Sequence, residues 1–305
     1  MSNVLSAVQT ALPVLLALAL GMLCRQKQFI SRDGIDALKK VVLNITLPAV
    51  LVNAFATAQY SLSTIILPTL MYMLSCVALA LGFVIIRVSG MKSRLAPFLA
   101  AGFEAGMLGY ALFALRFPHR SVSEFAILDL GQTLFVFTLF KVLLSGKRDV
   151  KAVVKDMAFT PIFWAIFAGV LLGTTGLYGK LQDWGVAGIL DASTSFISAP
   201  TGMIILLTVG YDLVLKDIPW KKTIGLITMR FGVMAVFLGI LLLLNWTVLG
   251  GIIFEGTAIL MVLLPPPYVI PVFADEPGER VQIASALSAL TLMTMVLFAV
   301  FSVFV

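Results

Sequence analysis

The sequence predicts an all-α integral membrane protein: ten transmembrane helices in two inverted five-helix repeats, with helices 4 and 9 broken. Three observations predict it: a composition too apolar for a soluble domain, ten hydrophobic runs of spanning length, and helix-breaking residues at matching places in the two halves. The 305 residues are 60% hydrophobic and 12% charged, and the mean hydropathy is +1.07, far from the usual composition of soluble domains. Crossing about 30 Å of hydrocarbon takes roughly 20 apolar residues at about 1.5 Å each. Such runs lie at 4–24, 38–58, 63–87, 95–116, 122–144, 157–178, 189–212, 221–245, 252–273 and 281–303, and leave no stretch for a soluble domain.

The first run has no basic residue before it and Arg25, Lys27 and Arg32 after it. That charge order is the reverse of a cleavable signal peptide, so the span is expected to stay attached with its N-terminus outside. Ten spans return the C-terminus to the outside and put the loops after spans 1, 3, 5, 7 and 9 in the cytoplasm. Those loops and their flanks hold about 17 of the 21 Lys and Arg, while Arg116, Arg120 and Lys180 fall outside and Arg230 lies within span 8. The positive-inside bias supports count and orientation together, because one missed span would scramble it. The net charge of +6 follows from topology and calls for no nucleic-acid partner. Cys24 and Cys76 sit at or inside spans and read as packing residues. The compact loops suggest a bacterial inner (plasma) membrane.

The longest polar connection, "SGKRDVKAVVKD" from Ser145 to Asp156, falls at the middle of the chain. It divides a first repeat, 1–146, from a second, 157–305, through a cytoplasmic linker, 147–156. Pro13 answers Pro161, Pro48 answers Pro200, and Gly106 answers Pro265 to Pro267, at offsets near 150 to 160 residues. Five spans per unit is odd, so the second unit lies inverted relative to the first, as in many secondary transporters.

Span 9 carries Pro265, Pro266 and Pro267 in succession. Proline removes an amide donor and clashes with the preceding turn, so the span is expected to unwind there. Carbonyls freed in hydrocarbon are too costly unless the break is buried in protein or lines a wet cavity. In span 4, "FEAGMLGYALF" places Gly102, Gly106 and Gly109 around Glu104. Single proline kinks and small-residue faces are ordinary in membrane helices. A triple proline matched by a glycine-rich acidic segment in the other half points instead to a transporter's binding site.

Several segments resemble the auxin efflux carrier family, which includes plant auxin exporters and bacterial carriers proposed for malonate and malate. "LNITLPAVLVNAFA" is similar to its Asn-x-x-x-Pro helix, "EAGMLGYAL" to its span-4 break and "LDLGQTLFVF" to an Asp-x-Gly-Asn/Gln segment. "SAPTGMIILLTVGYDL" resembles its seventh span, Arg230 sits where the eighth often carries arginine, and "LLPPPYVIPVFADEPGERVQIASALSALT" resembles its Pro-Pro break and Ser-rich tenth span. The resemblance runs the whole length. It implies broken helices 4 and 9 crossing near the midplane, a scaffold of helices 1, 2, 6 and 7, a mobile body of helices 3–5 and 8–10, and a homodimer through the scaffold. Two departures stand out: Glu104 replaces a frequent asparagine, and Ala111 a frequent proline.

The expected activity is secondary active transport of small organic anions, mono- or dicarboxylates, by alternating access. A fixed carboxylate at an anion site must be protonated, paired or neutralised, so Glu104 is the expected carrier of a coupling ion, H⁺ or Na⁺. A neutral Glu104 that merely bonds freed backbone is the competing reading. Asp129 and Gln132, nearly on one face of span 5, either line the site or bond a neighbouring helix. Arg230 either neutralises substrate, snorkels, or pairs with Asp212. Asn44, Asn53, Ser195, Ser198 and Thr201 offer neutral hydrogen bonds from spans 2 and 7, and Tyr268 a hydroxyl; Asp191 and Glu255 read as solvated. The single histidine, His119, lies in an outer loop, unsuited to a proton relay. No catalytic constellation, metal spacing or phosphate loop is present, so no enzyme, no bound cofactor and no ATP use are expected. A channel, a ligand sensor, or a carrier of neutral or cationic solutes selected by Glu104 are the alternatives.

Overall fold

Hydrophobic runs too long for a soluble core become long apolar helices in the computed structural model, which describes residues 2–58, 60, 61, 63–145, 155, 159–213, 220–274 and 276–304. The linker expected at 147–156 lies outside them except for Lys155. Among the described residues there is no strand, and five helices are long and apolar enough to cross a membrane: Thr64–Val88, Val122–Leu144, Ala187–Asp212, Thr223–Thr247 and Gly278–Val303. A sixth is added if Pro161–Thr174 and Leu177–Asp183, bent by 66°, form one span. The chain is therefore an all-α protein built to sit in a membrane.

The remaining apolar runs take less regular shapes, each for a local reason. Ser2–Lys27 is one helix that carries Pro13 inside it. The second run begins earlier than its hydrophobicity indicates, at Arg32, because Ser31 caps that end by accepting a hydrogen bond from Gly34 N at 3.1 Å. A π turn, Val42–Thr46, then sits just ahead of Pro48 in Leu47–Ala56, a widening that accommodates a residue without an amide donor. Pro161 occupies the first position of its own helix rather than its interior. Pro200 separates Ala187–Ser198 from Thr201–Asp212. Helix Pro161–Thr174 ends at Thr175, and Gly176, at φ +67°, makes the bend into Leu177–Asp183.

Two segments are interrupted far more deeply. The run at 95–116 contains a short 3₁₀ turn, Ala96–Ala100, a non-helical stretch at 101–104, and a helix that starts as a π turn, Ala105–Gly109, and continues as Tyr110–Arg116. The run at 252–273 holds the helix Glu255–Leu263, a non-helical stretch at 264–269 containing the three prolines, and a 3₁₀ turn, Ile270–Phe273.

Packing brings Ser2–Lys27 against Thr201–Asp212, and Leu47–Ala56 against Pro161–Thr174. Both contacts use glycine to bring backbones together. A Cβ on Gly21 would stand 2.1 Å from Leu207 O, and one on Gly210 2.2 Å from Leu18 O. A Cβ on Gly169 would stand 2.7 Å from Phe55 Cβ and 2.8 Å from Val52 O. The two glycine helices share a pattern that hydrophobicity alone did not expose, Pro13, Ala17 and Gly21 against Pro161, Ala165 and Gly169, at identical spacing. Both alanines are buried.

Gly21→Ala is expected to cost about 1–3 kcal/mol, the usual range for overpacking a close contact. Gly239→Ala, with nothing within 4 Å of the added carbon, is expected to be neutral or to gain about 0.5–1 kcal/mol from the lost flexibility of glycine. Thermal unfolding in detergent checks the pair; equal midpoints for the two variants would contradict the close approach.

Candidate functional site

The two interrupted segments meet, and Glu104 joins them. Its backbone N–H donates to Pro265 O at 2.8 Å. Its side chain accepts from two amides: Met107 N at 3.2 Å, in the first turn of its own helix, and Tyr268 N at 2.6 Å, just past the third proline. An acidic cap at a helix start satisfies one of the orphan donors there and complements the helix dipole. Close contact is possible because the crossing residues are small. Gly102 has φ +72°, which glycine adopts readily, and a Cβ there would stand 2.9 Å from Pro267 Cγ. A Cβ on Gly109 would stand 2.6 Å from Phe125 Cζ and 2.8 Å from Leu264 Cδ1.

Arg230, from helix Trp220–Thr247, serves the carbonyls at the same place. Its guanidinium donates to Leu264 O at 2.9 Å and to Leu99 O at 3.4 Å, the ends of the two preceding helical pieces, and lies 5.3 Å from the centre of the Phe103 ring. It is 1% exposed. This corrects two expectations, since a side chain so buried does not snorkel, and Asp212 pairs instead with Arg32 and Lys39. The reason is that unpaired carbonyls at the breaks attract the strongest fixed donor within reach.

Gln132 holds the non-helical stretch by pairing with both backbone groups of Phe103, as a neighbouring strand would. Its Nε2 donates to Phe103 O at 2.9 Å and its Oε1 accepts from Phe103 N at 3.3 Å. The same Nε2 lies 3.3 Å from Asp129 Oδ1, and Tyr110 donates its hydroxyl proton to Asp129 Oδ2 at 3.0 Å. Tyr268 and Thr291 share a hydroxyl hydrogen bond at 3.0 Å, and Thr294 donates to Leu263 O.

These groups border a cavity of about 520 Å³. Glu104, Gly106, Asp129, Gln132, Pro267 and Tyr268 line it, and so do Arg32, Lys39, Lys141 and Asp212 at its charged end. The rest of the expected site lies elsewhere. Gly109, Pro265, Pro266 and Arg230 are buried behind the cavity wall. Asn44 is exposed, Ser198 donates to Ser195 O at 3.2 Å, and Thr201 is buried without a hydrogen-bond partner among the described residues. Asn53 and Asp191 form a separate cluster: Asn53 donates to Asp191 at 3.2 Å and to Thr194 at 3.0 Å, and Tyr178 donates to both Asp191 oxygens. Asp191 is thus bonded between helices rather than simply solvated. Glu255 accepts from Trp246 Nε1 at 2.9 Å. The charged end of the cavity was not foreseen, and the sequence signal for it was present: Arg32, Asp36 and Lys39 fall on one face at helical spacing.

The chain matches no protein-family model and no curated protein.

Arg230→Met would leave two buried carbonyls bare, at about 1–3 kcal/mol each. Arg230→Lys, with a single ammonium group, is expected to recover part of that loss. Thermal unfolding of the detergent-solubilised variants measures the order; a Met variant as stable as the parent would rule out carbonyl pairing as the role of Arg230.

Proposed function

We propose that the chain is a secondary active transporter of small organic anions, a bacterial-type member of the auxin efflux carrier family, working by alternating access and coupled to an ion through Glu104. The observation that carries this reading is the meeting of two broken segments at an acidic side chain that borders a cavity. Broken helices are tolerated in a membrane where they line a solute pathway, and paired breaks in the two halves of a chain mark transporter sites.

Three further features support ten spans in two inverted repeats. The matched Pro-Ala-Gly patterns at 13–21 and 161–169 lie on helices that pack, respectively, against the segments after Pro200 and after Pro48. That exchange of partners is what a two-fold relation between the halves produces, and an odd number of spans per half would make it an inverted one. The following long-range side-chain bonds among the described residues also fall into two sets. One ties 2–60 to 161–213: Arg25 to Tyr211 O and Leu213 O, Arg32 and Lys39 to Asp212, and Asn53 to Asp191 and Thr194. The other ties 63–145 to 220–304: Arg230, Glu104 and Thr294 at the breaks, Ser93 to Glu279, and Arg94 to Phe273 O. These sets match the scaffold and mobile body that the family resemblance implies, and the cavity takes lining residues from both. A second space of about 520 Å³, lined by Tyr60, Ser61, Ser121, Glu124 and Phe254, shares no lining residue with it. Under the positive-inside orientation, the first space faces the cytoplasm and the second the exterior.

A proton suits Glu104 better than Na⁺. The groups set against its carboxylate are N–H donors, whereas a hard cation needs converging oxygen ligands. A sensor built on the same scaffold would bind solute without flux, and a channel would conduct without saturation.

Charge movement in proteoliposomes tests the reading, with mono- and dicarboxylates screened beside neutral and cationic solutes over a range of pH and Na⁺. A saturable carboxylate current is expected, and Glu104→Gln is expected to lose its ion dependence or at least tenfold of its rate, the effect of removing a required proton carrier. Currents with cations alone, or an unchanged ion dependence in the variant, would sink the proposal.

A further inference from the structure

The place that Glu104 fills is shaped for a carboxylate. Each of its oxygens accepts one amide, and the two amides come from different segments. Met107 N–H is one of the donors left open at a helix start, and Tyr268 N–H is left open by the non-helical prolines before it. Glu104, Tyr268 and Met107 all border the central cavity, so a solute in that cavity reaches the same two donors. Glu104 is half-buried rather than sealed.

We propose that Glu104 is a tethered stand-in for the transported carboxylate, and that the two alternate on the amides of Met107 and Tyr268. The inference rests on the transport reading above and adds how coupling works. A proton entering through the cavity bonds to one Glu104 oxygen and makes the neutral acid. Amide donors bind an ionised carboxylate more strongly than a neutral acid, so they exchange Glu104 for the ionised solute. The crossing loses one negative charge and gains one, and one proton travels with each solute carboxylate. Release runs in reverse: the solute leaves, Glu104 gives up its proton, and its carboxylate returns to the amides.

The charged and titratable groups around Glu104 leave this exchange to it. Asp129 is engaged by Tyr110 and Gln132, and the Tyr268 hydroxyl by Thr291. Arg230 is committed to Leu99 O and Leu264 O. Around the cavity, Arg32 and Lys39 are paired with Asp212, and Lys141 adds a further cation to the wall. These cations favour entry of an anion without competing for the amides.

The test uses the purified full chain in detergent, formate as the probe and thermal unfolding as the readout. Glu104→Ala empties the place; its midpoint is expected to rise saturably by several degrees with formate, at chloride-matched ionic strength. The parent protein is expected to give no response at alkaline pH and a growing one as pH falls. Should Glu104→Ala not fold, Glu104→Gln carries the test: its carbonyl oxygen can accept from only one of the two amides and its NH₂ from neither, so one donor stays open and formate should stabilise it at every pH at which formate is ionised. An absent response in both variants, or a parent response equal to theirs at every pH, overturns the inference. Formate binding without carboxylate flux in proteoliposomes would uphold the place and overturn the transport reading. Flux without formate binding would do the opposite.

Discussion

Backbone groups released from helices in a membrane have no water to turn to, and the structure depends on how this chain satisfies them. Two side chains of opposite charge divide the task by polarity. Glu104 takes the open N–H groups at Met107 and Tyr268, where helical pieces begin. Arg230 takes the carbonyls of Leu99 and Leu264, where helical pieces end. Acid at the starts and base at the ends is also the arrangement that helix dipoles favour. Phe103 lies between them, its backbone held on both sides by Gln132 and its ring beneath the Arg230 guanidinium. The cost of two breaks is thereby offset within a single polar cluster.

That cluster forms only where backbones approach closely, and the small residues are placed accordingly. Gly102 meets the ring of Pro267, and Gly109 meets Phe125 and Leu264, at distances a β-carbon would spoil. Away from the crossing, Gly21, Gly210 and Gly169 do the same between long helices. In lipid, helices gain little from burying apolar surface against one another, so close backbone approach and well-fitted packing carry association. Pro265 to Pro267 and the glycines thus act together: the prolines open a segment, and glycines let segments meet.

The readable parts of the sequence were those in which a residue type carries its own geometric meaning. Hydrophobic run length located the five helices, among the described residues, that are long and apolar enough to cross a membrane, and three consecutive prolines located the end of Glu255–Leu263 to within a residue or two. Glu104 stood out because an acid amid apolar residues and glycines is expensive. What could not be read was the partner of each polar group. Arg230 looked able to reach Asp212, and nothing in a sequence shows that a guanidinium will choose two main-chain carbonyls. Gln132 acting as a surrogate strand, and Asp191 tied to Asn53 and Tyr178, are likewise tertiary facts. The helix start at Arg32 was legible in Ser31 but masked by the charge that follows it. Pro13, read as a breaker, is carried inside an unbroken helix because neighbouring helices can absorb a single missing donor.

The distribution of polar bonds bears on motion as well as stability. Directional side-chain bonds resist sliding, since each has a narrow range of good geometry, whereas apolar surfaces can slip by a turn and repack. The bonds named here lie within one set of segments, 2–60 with 161–213, or within the other, 63–145 with 220–304. Where the sets face each other, contacts such as Gly106 with Leu47 and Gly202 with Ala111 are apolar and small. Glu104 belongs to the second set of segments, and so do its partners Met107 and Tyr268. Under the proposal above, a shift of one set against the other would carry Glu104 and its two amides together from the cavity lined by Lys39 and Lys141 toward the space lined by Tyr60 and Glu124. In the transport cycle proposed above, the directional bonds lie where contacts persist and the apolar ones where the two sets move against each other.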